Sequence, residues 1–455
     1  GMMTTGTGTL TNAGELTVTG GNNATNTRGT IGMSAGIGST IDSSTGKATI
    51  DVKGDKSTGV YSDGTLKLGE STVKTSDKAV NYFAGNNGKI EIVAGKTSTA
   101  TTGQSSLLFY TEGNGKILVN GTMNATIKGG TTPALRGTAF YYKSPGASYG
   151  VFDKDTVKNY FDTSFGNGAG TSTLNNLTLN MEQGSRLFVA SNVAMNLSDT
   201  DATALMSQVT TQKPLITGSN DYKTFMLYLS KLNINQAVNL DNPNDAYNQL
   251  EIANSTVENA NNIAGTQNRQ VGIAQENGND TNGDGYNANK VTLTNTATGS
   301  INLTGDESTG IYAKRGLIFN DGQISVGKKS TGIYIVEDDR SPVGAVAGAR
   351  AINSSTGVIT IGEDSTGMYY KVDPDNADGR GTNTAIGGGI VNDGKIESTA
   401  NNVIAMSFDS PYGSKTMENS ATGVIDLQGQ NSTGMFATGA GTYTAVNNGT
   451  IKLAS

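Results

Sequence analysis

The sequence predicts an all-β protein built as a right-handed parallel β-helix, with short helical insertions in the middle. Two repeated sequence units support this prediction, and so does an unusual composition. Glycine accounts for 62 of the 455 residues, about twice its usual share, and charged residues for only 16% against roughly 25% in ordinary soluble domains. Such a chain suits a fold with many turns and a narrow hydrophobic core.

The first repeated unit is a glycine followed by two aliphatic residues that alternate with polar ones, as in Gly322–Val326. Aliphatic residues two positions apart lie on one face of a strand. The residue before the glycine is Asn or Asp in five copies and Thr in four, and Asn-Gly or Asp-Gly favours a sharp turn. Further copies begin at Gly14, Gly88, Gly115, Gly299, Gly357, Gly423 and Gly449, with weaker ones at Gly46 and Gly394.

The second repeated unit is Ser-Thr-Gly, then an aliphatic residue or Met, then an aromatic residue. It follows the first unit by about ten residues. We expect its glycine to make a turn, its hydroxyls to bond neighbouring backbone, and its last two residues to join the stack. The copies begin at Ser57, Ser308, Ser330, Ser365 and Ser432.

The spacing of the two units favours parallel stacking over antiparallel hairpins. Hairpin strands would recur as like elements every 8–12 residues, whereas here two unlike strands alternate and the pair recurs after longer, variable intervals. In the C-terminal half the glycines at 299, 322, 357, 394, 423 and 449 mark these intervals. Each interval then corresponds to one coil, in which every strand stacks on its counterpart in the previous coil.

The middle of the chain departs from this pattern. We divide the sequence into regular N-terminal coils at 1–129, irregular coils at 130–290 and regular C-terminal coils at 291–455. In the middle segment, residues 153–165 carry Val157, Tyr160 and Phe161 at helical spacing, and 198–209 begins like a capped helix. These are interpreted as helical excursions within the solenoid.

Composition excludes several classes of function. The chain has no His and no Cys, so Ser-His-Asp catalysis, thiol chemistry, disulfides and zinc fingers are excluded. The formal charge of −7 is diffuse and argues against a nucleic-acid partner. No run approaches the 18 apolar residues of a membrane-spanning helix. Absence of cysteine suits a chain that crosses the periplasm unfolded.

The two-part pattern resembles the passenger repeats of the large fusobacterial type V autotransporter adhesins of the RadD-like family. The resemblance covers 1–125 and 290–455, and two stretches of the middle are also similar. It implies a cell-surface passenger anchored in the outer membrane, a virulence factor that binds other bacteria or host cells. The start Gly1-Met2 looks like a cloning remnant. Since a signal peptide and a C-terminal translocator are not apparent, we expect a passenger segment.

We therefore expect an adhesin segment that also serves as a rod-like stalk and acts as a monomer without a cofactor. Its partners would be host or bacterial surface proteins or glycans, and membrane attachment would come only through the absent translocator. Two alternatives stay open: a β-helix enzyme that degrades polysaccharides, and a self-associating aggregation factor. The enzyme would need clustered outward carboxylates, and only Glu397 and Asp426 lie one coil apart, with no shared basic partner evident.

Aromatic residues are concentrated in one part of the middle segment, and they are the candidate ligand-binding residues. Exposed rings could stack on sugars, whereas buried rings would pack under the predicted helix; we favour packing, and both interpretations stay open. No residue is assigned a catalytic role. The five candidates are Phe140, Tyr141, Tyr142, Tyr149 and Phe152.

The stretch 280–285 resembles the opening of a calcium loop, with Asp280, Asn282 and Asp284 as candidate ligands. Alternating oxygen donors suit a hard cation. Val291 occupies the twelfth position, where an EF-hand needs a bidentate Glu, so an EF-hand is not supported. An irregular structural calcium site and a simple turn between coils both remain possible interpretations.

Overall fold

The structure is a computed structural model that describes residues 1–20, 29–132, 135–167, 172–198, 204–208, 214–276, 291–314, 316–338, 349–373, 388–409, 415–439 and 443–454. The chain divides into two compact units. The first unit comprises Gly1–Val193, Thr200–Leu227 and Gln249–Glu251, and the second comprises Ala194–Asp199, Tyr228–Asn248 and Ile252–Ser455. Both units are built from short strands in parallel pairs.

The strands of the described residues, in chain order, are β1 (Met2–Thr4), β2 (Thr9–Thr11), β3 (Glu15–Thr19), β4 (Ile31–Ala35), β5 (Thr40–Val52), β6 (Thr58–Ser62), β7 (Thr65–Thr75), β8 (Val80–Ala84), β9 (Lys89–Ile92), β10 (Thr97–Thr101), β11 (Leu107–Thr111), β12 (Lys116–Val119), β13 (Thr122–Ile127), β14 (Thr138–Lys143), β15 (Gly150–Val151), β16 (Leu177–Met181), β17 (Arg186–Ser191), β18 (Val193–Leu197), β19 (Leu215–Gly218), β20 (Lys223–Tyr228), β21 (Lys231–Ile234), β22 (Val238–Asn239), β23 (Leu250–Ala253), β24 (Thr256–Asn259), β25 (Asn262–Gly265), β26 (Val271–Glu276), β27 (Thr292–Asn295), β28 (Ser300–Leu303), β29 (Thr309–Lys314), β30 (Leu317–Asn320), β31 (Gln323–Val326), β32 (Thr331–Asp338), β33 (Arg350–Asn353), β34 (Val358–Ile361), β35 (Thr366–Asp373), β36 (Gly389–Asn392), β37 (Lys395–Ser398), β38 (Ile404–Asp409), β39 (Lys415–Asn419), β40 (Val424–Leu427), β41 (Thr433–Thr438), β42 (Tyr443–Asn447) and β43 (Thr450–Leu453). The helical elements are α1 (Lys154–Phe165), a short helix at 204–208, and 3₁₀ turns at Thr173–Asn176 and Ala246–Gln249.

The first unit contains two ladders of parallel strands. One has the order β1-β4-β6-β8-β11-β14-β17-β20, and the other has the order β12-β9-β7-β10-β13-β16-β19. β7 turns a corner, because its first half pairs with β9 and its second half with β10. In later coils two separate strands, such as β9 and β10, take the place of the two halves of β7. Together with the strand of the other ladder, they give three strands per coil. This arrangement confirms the predicted parallel β-helix.

The second unit stacks three parallel sheets. Their orders are β18-β21-β24-β27-β30-β33-β36-β39-β42, β22-β25-β28-β31-β34-β37-β40-β43 and β26-β29-β32-β35-β38-β41. A coil such as β30, β31 and β32 contributes one strand to each sheet. The two sequence units correspond to the second and third strands of the coil. The interpretation with two strands per coil is therefore incomplete, because the first strand lacks a glycine and a fixed aliphatic pair.

Aliphatic side chains of successive coils stack in register inside the second unit. Ile301 is aligned with Ile324, and Ile324 with Ile359; each is at most 1% exposed. Burying such a side chain contributes about 1.5–3 kcal/mol, so a column of them supplies much of the stability of a narrow core. The second aliphatic residue of each copy forms a neighbouring column, and in one coil its place is taken by Ser398. The buried Ser398 hydroxyl donates to the carbonyl of Ile361 at 2.6 Å.

The Ser-Thr-Gly units form a buried corner, as expected for a structural role. The backbone N–H of Ser308 donates to Ser330 Oγ at 2.9 Å, and that of Ser330 donates to Ser365 Oγ at 3.0 Å. Each serine hydroxyl thus bonds the coil before it. The aromatic residue differs from expectation, because Tyr334 stacks on Tyr369 on the outward face (ring centroids 5.0 Å apart) while Ile333 is buried.

In the second unit, the first strand of each coil from β24 onward ends at an asparagine, and these asparagines form a hydrogen-bonded ladder. The side-chain amide of each asparagine donates to the amide oxygen of the next at 2.7–2.9 Å, and all members except the last are fully buried. Buried polar groups cost free energy unless they are hydrogen-bonded, and the ladder satisfies them between coils. Its members are Asn259, Asn295, Asn320, Asn353, Asn392, Asn419 and Asn447.

The ladder accounts for the alternation of Thr with Asp or Asn before the repeat glycine in the second unit. The distance from the ladder asparagine to the glycine alternates between four residues, as from Asn353 to Gly357, and two residues, as from Asn320 to Gly322. In the longer turn, Thr356 Oγ1 donates to the backbone carbonyl of Asp321 in the shorter turn at 2.7 Å. The long turn is therefore hydrogen-bonded to the short turn of the preceding coil. Within the described residues, no helix is long and apolar enough to span a bilayer.

Candidate functional site

Helix α1 is the main irregular element of the first unit, and its sequence explains where it begins and ends. Asp153 is the N-cap, and its carboxylate accepts the backbone N–H of Thr156 at 2.8 Å; such a cap contributes about 1 kcal/mol. At the other end, the N–H of Gly166 donates to the carbonyl of Asp162. The predicted helix at 153–165 is confirmed. Of the second predicted helix, at 198–209, the structure describes a helix at 204–208.

The buried face of α1 packs on inward-facing rings of the strand ladder. Phe161 and Phe165 contact Phe140, with ring centroids 5.1 and 5.4 Å apart, and Phe165 also contacts Phe109. The helix packs over β12, the edge strand of its ladder. A helix that covers this edge blocks further strand pairing there and gives the surface a shape that a regular coil lacks.

A cleft of about 470 Å³, here called the α1 cleft, opens between α1 and the ends of β11 and β14. One wall comes from these strands, one from the helix, and one from the loop that follows β14. Its lining combines aromatic faces with hydroxyl, amide, carboxylate and ammonium groups. The lining residues include Tyr110, Thr111, Glu112, Tyr142, Lys143, Pro145, Asn159, Tyr160 and Thr163.

Two tyrosines give the α1 cleft its half-exposed aromatic walls. Tyr110 donates from its hydroxyl to Glu112 Oε1 at 3.0 Å, so the ring and the carboxylate are fixed relative to each other. Burial, together with the Glu112 hydrogen bond and charge, raises the pKa of Tyr110 above its ordinary value. Burial likewise raises the pKa of Tyr142. Both hydroxyls therefore remain protonated donors at neutral pH.

Tyr110 also belongs to an outward ladder of rings that ends beside the α1 cleft. The ring centroids of Tyr61 and Phe83 are 5.0 Å apart, those of Phe83 and Tyr110 4.7 Å, and those of Tyr110 and Tyr141 5.4 Å. All four rings are half-buried. Parallel strands hold them in register, because each ring lies at the same position of its coil.

One asparagine holds the loop that follows β14. Asn192 Nδ2 lies within 3.0–3.3 Å of the carbonyl oxygens of Ser144, Gly146 and Ser148. Its backbone has a φ of 57°, a region that asparagine tolerates better than most residues. Asn192 does not line the cleft, so it is a positioning residue.

The structure separates the five candidate aromatic residues into two groups. Phe140 and Phe152 are buried, at 0% and 3% exposure, and they pack in the core of the first unit. We withdraw these two as ligand-contacting residues, because a buried ring cannot stack on a ligand from solvent. Tyr141 and Tyr142 are half-buried, and Tyr149 is 45% exposed. Only Tyr142 of the five lines the α1 cleft.

The candidate calcium ligands Asp280, Asn282 and Asp284 lie outside the described residues, so calcium binding stays a prediction. Elsewhere in the described part of the chain, no cluster of three or more carboxylates could hold a metal ion.

The two outward carboxylates that were considered for the alternative enzyme function have a basic partner, which the sequence interpretation missed. Glu397 and Asp426 lie side by side in β37 and β40. Lys395 forms an ion pair with Glu397, and the two carboxylates raise the pKa of Lys395. The lysine precedes Glu397 by two residues, and therefore shares its outward face.

Several polar residues of the α1 cleft escaped the sequence interpretation, among them Glu112, Asn159 and Thr163. Asn159 and Thr163 are four residues apart and lie on one side of the helix. Their positions on the face opposite Phe161 and Phe165 could have indicated them. Glu112 belongs to a turn after β11, and only the folded coil brings it near β14.

Half-exposed rings flanked by hydrogen-bonding groups are suited to binding a sugar, with the ring against its apolar face and polar groups at its hydroxyls. No family model matches the chain, and no curated protein matches its sequence.

Proposed function

We propose that this chain is the binding segment of a cell-surface adhesin and that its α1 cleft binds a glycan. The observation that carries the proposal is the placement of Tyr110 and Tyr142 in a cleft with Glu112, Lys143 and Asn159. The half-buried rings offer flat apolar faces, and the charged and amide groups offer hydrogen bonds that distinguish one sugar from another.

The solenoid supports this proposal as a scaffold. Its coils pair through backbone hydrogen bonds and buried side-chain ladders, and function in such folds is carried by elements added to the regular framework. α1 and the loop after β14 are elements of this kind. A passenger anchored in the outer membrane, acting as a monomer toward host or bacterial surfaces, remains our expectation from the resemblance of its repeats.

A glycan array tests the proposal, followed by calorimetric titration with the best-binding glycan. We expect Tyr142→Ala and Asn159→Ala each to weaken binding at least tenfold. A matched control is Tyr369→Ala, a half-buried ladder tyrosine of the second unit, which should bind as the wild type does. Failure of the array to detect any glycan, or equal binding by all variants, would reject the glycan site.

A polysaccharide-degrading enzyme is the second candidate, and the Glu397–Asp426 pair with Lys395 is the observation in its favour. Adjacent strands are about 4.8 Å apart, near the separation of about 5–5.5 Å between the carboxyl groups of retaining glycosidases. An assay for newly formed reducing ends decides between the two. We expect no turnover, and turnover that Glu397→Gln abolishes would establish the enzyme instead.

A further inference from the structure

A second concave surface of the first unit follows the loops that lead into the strands of one ladder. Two clefts of about 750 and 570 Å³ adjoin there, because both are lined by Gln104, Gly129 and Glu182. We call them together the corner groove. Loops of successive coils are spaced about 4.8 Å apart, so the corner groove is elongated along the stack of coils. None of its lining residues belongs to the α1 cleft.

Positive charge exceeds negative charge beside one end of the corner groove. Arg136 and Arg186 share a single carboxylate, that of Glu251, at N–O distances of 3.0 Å and 2.5 Å. Burial alone would raise the pKa of Glu251, but the hydrogen bonds and charges of the two arginines outweigh it and lower the pKa. The carboxylate is therefore ionised, and the cluster of three carries one net positive charge.

Arg136 lines the groove, and its guanidinium is incompletely solvated. Nη1 donates to Glu251, while Nε is buried without a hydrogen-bond acceptor among the described residues. About 19% of the side chain remains exposed. A guanidinium that has lost part of its hydration binds a carboxylate more strongly than one in bulk water.

Lys223 brings a second positive charge to the same end. It lines the groove with Arg136, and burial followed by the charge of Arg136 lowers its pKa. The other ionic groups here are Asp221, which accepts a hydrogen bond from Gln183, and Glu182, which is paired with Lys128. Counting Arg136, Arg186, Lys128 and Lys223 against Glu251, Glu182 and Asp221 leaves one positive charge in excess.

The opposite end of the groove has no such excess. It is lined by Lys53 and Lys74 together with Asp51, Asp55 and Asp77. These carboxylates would repel a polyanion that occupied the whole groove. They would not repel the neutral, hydroxyl-rich part of a ligand whose single acid group lies at the other end. The groove also offers Gln104, Gln183 and Tyr222 for hydrogen bonds and stacking.

We infer that the corner groove binds an oligosaccharide bearing a single acidic sugar, whose carboxylate lies against Arg136 and Lys223. This inference does not depend on the α1 cleft. The two sites can be separated, because Tyr142→Ala should leave binding in the corner groove unchanged.

The test is calorimetric titration of the full chain with sialyllactose, with a trisaccharide ending in glucuronate, with neutral lactose, and with a short Asp-Gly peptide. We expect one or both acidic saccharides to bind, which also identifies the acid, and lactose to bind at least tenfold more weakly. Arg136→Gln and Lys223→Gln should each reduce binding of the acidic saccharide at least tenfold.

Lys89→Gln is the matched control, because Lys89 is a paired lysine of the same unit outside the groove; it should bind as the wild type does. Arg186 still holds Glu251 in the Arg136 variant, and Lys223→Gln provides a second test if that variant fails to fold. When the α1 cleft is disabled by Tyr142→Ala, equal binding of lactose, binding of the peptide in place of the saccharides, no binding at all, or full binding by the Lys223→Gln variant would each overturn the inference.

Discussion

Asn320 and Asn353 are separated by 33 residues in sequence, yet the side-chain amide of Asn320 donates to the amide oxygen of Asn353 at 2.8 Å in a fully buried position. The same contact links every neighbouring pair in the ladder from Asn259 to Asn447. Each asparagine between the two ends of the ladder both donates to one neighbour and accepts from the other, so the loss of one affects the coils on both sides.

Asn320→Ala should destabilise the second unit strongly. The substitution leaves a donor of Asn295 and the acceptor of Asn353 without their ladder partner. Because an unsatisfied buried polar group costs about 1–3 kcal/mol, we expect a total loss of about 2–4 kcal/mol. Urea unfolding followed by circular dichroism measures it.

Asn447→Ala is the matched control for the ladder. Asn447 only accepts, from Asn419, and is exposed at the end of the ladder, so its loss should cost no more than about 1 kcal/mol. Equal losses at the two positions would show that burial within the ladder does not set its contribution.

Lys329→Gly should stabilise the second unit. Lys329 has a φ of 52° and immediately precedes the buried serine of a Ser-Thr-Gly corner. Residues with a side chain are strained there by about 1–2 kcal/mol, and glycine's extra chain entropy offsets about half of that. We expect a gain of about 0.5–1 kcal/mol for glycine, while Lys329→Val should destabilise. Denaturant midpoints of the two variants test this opposition, and a shift in the same direction for both would contradict it.

Asp241 should make the second unit sensitive to acid. Its carboxylate accepts hydrogen bonds from the backbone and hydroxyl of Thr266, from Gln270 and from the backbone of Gln267. These bonds lower its pKa to about 2, below the value of about 3.9 in an unfolded chain. The stabilisation is therefore complete above about pH 4 and is lost as the pH falls toward 2.

Asp241→Asn should flatten this dependence. Thermal midpoints measured between pH 6 and pH 2 should fall less steeply in the variant than in the wild type. Identical slopes would show that this carboxylate is not the group whose protonation destabilises the unit.

Asn192→Gly should weaken glycan binding in the α1 cleft without unfolding the chain. Glycine retains the positive φ, but it removes the side-chain amide that holds the carbonyls of Ser144, Gly146 and Ser148. We expect affinity to fall three- to tenfold, measured by calorimetry. Undiminished affinity would show that the loop is held in place by other contacts.

The repeats were sufficient to predict the parallel solenoid, because its core is repetitive in sequence as well as in space. Ile324 and Ile359 recur with their glycines, and a strand that is too short to fold alone must stack on its neighbours. The helix at α1 was also predictable, since Asp153 caps it and its apolar residues have helical spacing.

The asparagine ladder and the α1 cleft were not predicted, for two different reasons. Asn320 lies two residues before its glycine and Asn353 four residues before its glycine, so a search at fixed spacing does not align them. The cleft joins Glu112 and Asn159, which are 47 residues apart in sequence and meet only because α1 takes the place of a strand. Phe140 and Phe152 could not be distinguished from surface rings by residue type alone.

The most direct test of the binding role is attachment of chain-coated beads to a panel of bacterial and host cells. We expect wild-type beads to attach to at least one cell type, Tyr142→Ala beads to attach clearly less well to that cell type, and Tyr369→Ala beads to attach as the wild type does. Equal attachment by wild-type and Tyr142→Ala beads would contradict this expectation.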